Sequence, residues 1–203
     1  MSGVRRALKA LWRVFEASST ARLPVVRTTS VPYPPIAVTP VFVAPFPPRW
    51  PLFLILAASV SFASAAAISL LLSSAGAFQL GTVPFGYAPR IPLFVAFLVW
   101  GLLVFSPVLE TLLLCWLITL GLRVRLSPGF VVLVSAVVAA GLHSLAWAPW
   151  GFIVFPAFLV FGYTFVRWRY LSFAAGFVSA TLVHSLHNVV PALAIASRLF
   201  QRQ

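Results

Sequence analysis

Glu110, His143, His184, His187 and Asn188 stand inside long apolar runs. In a bilayer, ionisable side chains there are costly and are usually kept for function. All three histidines of the chain belong to this set. The chain has no Asp, and its one other acid is Glu16. A carboxylate in such an apolar setting can serve as a general base. The same groups admit other readings. Two His and a carboxylate are a familiar zinc set, here Glu110, His143 and His184. A Glu–His path can also relay protons in a transporter subunit, and a buried polar network can simply hold helices together.

Depth argues that these groups meet. Glu110 lies thirteen residues before Arg123, His184 fifteen after Arg169, and His143 fifteen after Pro128. At about 1.5 Å of rise per residue, all three side chains sit roughly 20 Å from one basic boundary. Asn188 follows His184 at i+4 and shares its helix face, while His187 is an accessory one turn from His184. Polar groups on three separate helices therefore fall on one level.

The elements that must carry them are membrane helices. Of 203 residues, 62% are hydrophobic and 8% charged, against about a quarter charged in a soluble domain. Mean hydropathy is +1.05. The net charge of +12 does not indicate nucleic acid, because the arginines punctuate apolar runs instead of forming a basic face on a soluble body. A single cysteine, Cys115, excludes an internal disulfide framework and a multi-cysteine zinc site.

Five apolar segments are expected to span: 51–75, 91–122, 130–147, 151–166 and 171–197. The fold class is therefore all-α and polytopic. Pro107 offers a bend in the second segment, and Pro156 interrupts the short fourth. With the N-terminus inside, eleven of the fourteen Lys and Arg residues fall on the inner side, which favours five spans with the C-terminus outside. Losing the fourth span would invert the C-terminal half. Trp147, Trp150 and Trp168 flank span ends, as an interfacial belt would have them.

Ahead of the spans, residues 1–16 read as a basic amphipathic segment. Val4, Leu8, Leu11, Trp12 and Phe15 form one stripe, while Arg5, Arg6, Lys9 and Arg13 take the other side. Such a stripe lies on an anionic membrane surface, and a plain basic tail is the alternative. Residues 17–50 form a Pro-rich linker whose eight prolines preclude a continuous helix. No apolar run follows the basic start until residue 52, so no secretory signal peptide is expected. Residues 51–90 hold the first span and an outer loop, and 91–197 the core that bears the polar residues.

Three stretches of that core, SPVLETLLLC (106–115), AAGLHSL (139–145) and HSLHNVVPAL (184–193), resemble a known set of motifs. They are similar to those of the CAAX protease and bacteriocin-processing (CPBP) family of intramembrane endopeptidases. That family shows Pro-x-x-Glu-Glu-x-x-x-Arg, then Phe-x-x-x-His, then His-x-x-x-Asn or Asp. The resemblance implies a multi-pass intramembrane protease acting on a membrane-anchored protein or peptide, working without a metal cofactor. Glu110 and His143 would activate water, and His184 with Asn188 would form the oxyanion site. The chain departs from the pattern at Thr111, Cys115 and Ala139, which stand where the family has its second Glu, its Arg and its Phe. Residues 111 and 115 share a helix face, so the family's Glu and Arg could pair there. Losing one partner would strand a buried charge, whereas losing both leaves no orphan.

From these residues the leading expectation is an endopeptidase in the cell membrane, in contact with the bilayer and with its anchored substrate. A non-catalytic binding or immunity protein of the same type is the alternative that Thr111 and Cys115 favour. The proton-relay transporter is a third.

Overall fold

The computed structural model describes the backbone over residues 46–76 and 92–201, and the side chains over 46–76 and 96–197. The expected basic segment 1–16, the linker through residue 45, and 77–91 with Arg90 lie outside the described residues. So does Arg202, and so does the side chain of Arg198.

Every regular element among the described residues is a helix. Helix α1 runs Trp50–Ser74, α2 Pro92–Trp100, α3 Ser106–Arg123, α4 Pro128–Ala146, α5 Ala148–Trp168 and α6 Phe173–Gln201. Between α2 and α3 the backbone winds as a π-helix over Gly101–Phe105. Five stretches are long and apolar enough to cross a membrane: Trp50–Ser74, Ala96–Arg123, Pro128–Ala146, Ala148–Trp168 and Phe173–Ser197. The protein is a multi-pass helical membrane protein. The fourth span, the shortest in expectation, extends over 21 residues with Pro156 inside it.

Sequence explains where the helices start and turn. Pro51 and Pro128 occupy first-turn positions, where the missing N–H would have been unpaired anyway, whereas Pro107 follows the π turn directly and withholds an N–H that the continuing helix would use. The bend expected at Pro107 takes a specific form. A proline ring clashes with the carbonyl four residues earlier, here that of Leu103, and the π turn widens the helix over that stretch. Helices α4 and α5 are joined by one extended residue, Trp147, with φ −161°. They pack so closely that a Cβ on Gly151 would meet the Ala140 carbonyl at 2.5 Å. Ala136, Ala139 and Ala140 keep that interface small, which is how membrane helices approach without a hydrophobic drive.

Helix α5 is the hub. It packs on α1, α4 and α6 and touches α3, and α3 lies between α4 and α6. Its Phe158, Phe161 and Phe165 are the largest fully buried side chains. Arg49, Arg123, Arg125, Arg167 and Arg169 fall at one end of the bundle. There Trp168 packs edge-on against Phe53 at 5.4 Å, and Trp50 donates its indole N–H to Ser179 Oγ at 2.9 Å. Trp168 is 5% exposed and so belongs to the core and not to an outer belt. The outward faces carry large apolar residues such as Leu109, Leu113, Trp116, Val137 and Leu142.

Candidate active site

Glu110 stands on the second turn of α3, and the Ser106 hydroxyl, one turn earlier on the same face, donates to Glu110 Oε1. Glu110 Oε2 faces two imidazoles from two other helices. His143 Nε2 of α4 is 3.5 Å away, and His184 Nε2 of α6 is 3.7 Å away. Three helices thus deliver the three groups to one point.

Each ring is held from its other nitrogen. His143 Nδ1 lies 2.9 Å from the Ala139 carbonyl. A carbonyl only accepts, so Nδ1 carries the proton and a neutral His143 presents the lone pair of Nε2 to Glu110. His184 Nδ1 is 3.2 Å from Thr111 Oγ1, a hydroxyl that can donate or accept. Thr111 and Cys115, where the family resemblance expects Glu and Arg, are both fully buried. A hydroxyl in place of a carboxylate at 111 leaves the ring partnered with no second acid beside Glu110.

Aromatic rings of α5 set the floor. Phe161 stacks on His184 with centroids 4.3 Å apart and 22° between planes. Phe158 lies between the two rings, 5.2 Å from His143 and 5.9 Å from His184. Trp150 meets His143 edge-on at 5.4 Å. Access differs across the site: the Glu110 side chain is 30% exposed and that of His143 19%, whereas His184 is packed away at 5%. The carboxylate and the first imidazole are open to an incoming group.

The remaining candidates lie outside this cluster. Asn188 Nδ2 donates to the Leu102 carbonyl at 2.9 Å. His187 Nδ1 pairs with Ser61 Oγ of α1 at 2.8 Å, with both residues buried. Cys115 belongs to the core with Leu114 and Ile118. Among the described residues, no group of three or more His, Cys, Asp or Glu side chains is arranged to hold a metal ion, so the zinc alternative finds no assembled ligand set there.

Sequence reasoning missed Ser106, Ser61, Phe158 and Phe161. Ser106 was in reach, since it precedes Glu110 at i−4. The others come from α1 and α5, which bear no ionisable group among the site residues.

No protein-family model matches this chain, and no curated protein or solved structure matches it either. The motifs quoted above and the geometry they reach are what a functional reading has to stand on.

Proposed function

We propose that the protein is an intramembrane endopeptidase of the CPBP type. In this reading it lies in the cell membrane with its N-terminus inside and cleaves a membrane-anchored protein or peptide without a metal. The observation that carries the reading is the meeting of Glu110 with His143 and His184 at 3.5 and 3.7 Å, from three helices, in a chain with no other acid after Glu16. Chance scatter of polar residues does not readily put the one acid of the last 187 residues against two of three histidines.

The chemistry follows from the proton positions. When His143 is neutral, its Nε2 and Glu110 Oε2 are both acceptors, facing each other across 3.5 Å. A water about 2.8 Å from each donates one O–H to the carboxylate and one to the ring. Its lone pairs then point away from both, toward an incoming peptide carbonyl. As the water oxygen bonds to that carbon, Glu110 takes the proton. The carbonyl π pair moves onto oxygen, where an N–H of His184 stabilises it. When Thr111 donates to His184 Nδ1, the proton of that ring sits on Nε2, the nitrogen nearest the reacting atoms. Collapse of the tetrahedral adduct breaks the C–N bond, and Glu110 returns its proton to the departing amine. The apolar rings of α5 limit competing water around the charges.

Orientation supports a membrane-anchored substrate. Arg49, Arg123, Arg125, Arg167 and Arg169, at one end of the bundle, are residues that the positive-inside expectation puts on the inner side, and His143 lies four residues from Trp147, close to the opposite end of α4. A substrate held in the bilayer reaches Glu110 without leaving it.

The test compares protein termini in membranes from cells carrying the wild type or Glu110→Gln at matched insertion. A terminus made only by the wild type names the substrate and supports the endopeptidase together. Identical termini alongside a retained cellular phenotype would discard catalysis by Glu110 and favour the non-catalytic binding or immunity protein.

A further inference from the structure

Leu102 has a bonding problem that its own sequence creates. In the π turn, the N–H of Ser106 donates to the carbonyl of Gly101, five residues back. The same spacing pairs the Leu102 carbonyl with residue 107, which is proline and has no N–H. A carbonyl left unpaired at membrane depth is costly. The donor comes from another helix: Asn188 Nδ2 of α6 bonds to Leu102 O at 2.9 Å.

One other arrangement would satisfy Leu102. The Ser106 N–H could return to it in ordinary α register, four residues back. Shortening the turn by one residue rotates everything downstream by about 100° about the helix axis. What lies directly downstream is Ser106 and, one turn on, Glu110 with the Ser106 hydroxyl on its carboxylate. The register of this turn therefore decides whether Glu110 points at the imidazoles.

We infer that Asn188 is a positioning residue: by donating to Leu102 it holds the π turn, and so keeps the Glu110 carboxylate aimed at His143 and His184. This differs from the oxyanion role that the family resemblance implies for Asn188. It rests on the proposed reading of Glu110 as the base, yet the geometry it claims exists without substrate and can be tested without one.

The protein has three histidines, so the full chain with 15N-labelled histidine in lipid nanodiscs gives three rings to follow. Asn188→Leu keeps the size and removes the donor. The expected result is a shift of the ring nitrogens of His143 and His184, while His187, tied to Ser61, stays in place. Unchanged His143 and His184 signals in that variant would overturn the inference, because an oxyanion donor can be removed without disturbing the resting site. Should all three rings shift, the same substitution is made on Pro107→Ala, where residue 107 again offers an N–H. Asn188→Leu should then move nothing further. A displacement as large as in the wild-type background would overturn the inference there too. The proposed function fails separately. If Glu110→Gln membranes keep wild-type termini while Asn188→Leu shifts both rings, the clamp stands and the endopeptidase falls. If the rings ignore Asn188→Leu and Glu110→Gln abolishes processing, the endopeptidase stands and the clamp falls.

Discussion

His184 and His187 stand one turn apart on α6, within about 5 Å of each other in depth, both buried, and both touching Phe161. They differ in the helix opposite. His184 faces α3, where Thr111 takes Nδ1 and Glu110 lies before Nε2. His187 faces α1, where Ser61 takes Nδ1, and its ring meets Phe62 of α1 and Phe161 of α5 in T-shaped contacts. Phe161 lies flat against the first ring and at 80° to the second. Around His184 the site is open through Glu110 and His143, whereas Ser61 is completely enclosed. Residue type and depth do not separate the proposed catalytic histidine from a polar fastener between helices. The partner does: a carboxylate with access beside one ring, a sealed hydroxyl beside the other.

That contrast predicts unequal responses. Glu110→Gln preserves shape while removing the proposed base, and the rate at which the wild-type-dependent terminus appears should fall by about 10²- to 10⁴-fold. Insertion, read by protection of the spans from labelling, should be unchanged. Paired substitutions test the two rings directly. His184→Gln should lower the same rate by about 10²-fold or more, and His187→Gln by less than about threefold, within what a surrounding packing defect does. Equal losses from both would erase the distinction drawn between them.

Much of this was legible in the sequence because the bilayer restricts what a polar residue can be doing. The five spans follow from length and hydropathy alone, since a membrane permits few other structures for such runs. The convergence of Glu110, His143 and His184 followed from counting rise along each helix from a basic boundary. Counting fails where direction around the axis matters. Asn188 was placed with His184 by its i+4 spacing, yet its amide is turned to Leu102, because a π turn and a proline elsewhere leave a carbonyl that needs it. His187 was grouped with His184 as an accessory one turn away, and about 60° around the helix was enough to give it to α1. Trp168 looked like a belt residue from its position at a span end, and tertiary packing against Phe53 buried it. The hubs Phe158 and Phe161 carried no signal that separates them from the other phenylalanines of the chain.

Thr111 sharpens the comparison at one atom. Thr111→Val removes the hydroxyl and leaves His184 Nδ1 buried without a partner, which costs about 1–3 kcal/mol. If that cost falls on the orientation of the ring, the processing rate drops by about tenfold to a hundredfold, and Thr111→Ser restores most of it. A loss that serine does not restore would mean that the methyl group's packing, and not the hydrogen bond, is what Thr111 contributes.

The smallest effect belongs to the other ring. Ser61→Ala deletes the hydroxyl that pairs with His187 Nδ1 at 2.8 Å between α1 and α6. Polar contacts between membrane helices contribute about 0.6 kcal/mol on average and up to about 1.7, because unfolded segments in a bilayer also find partners. Denaturant titration of the purified protein should show a destabilisation in that range, while the processing rate stays within about twofold of wild type. A large loss of processing with little loss of stability would put Ser61 and His187 in the chemistry. It would also mean that a sealed hydroxyl on one histidine and an accessible carboxylate on its neighbour act as one site.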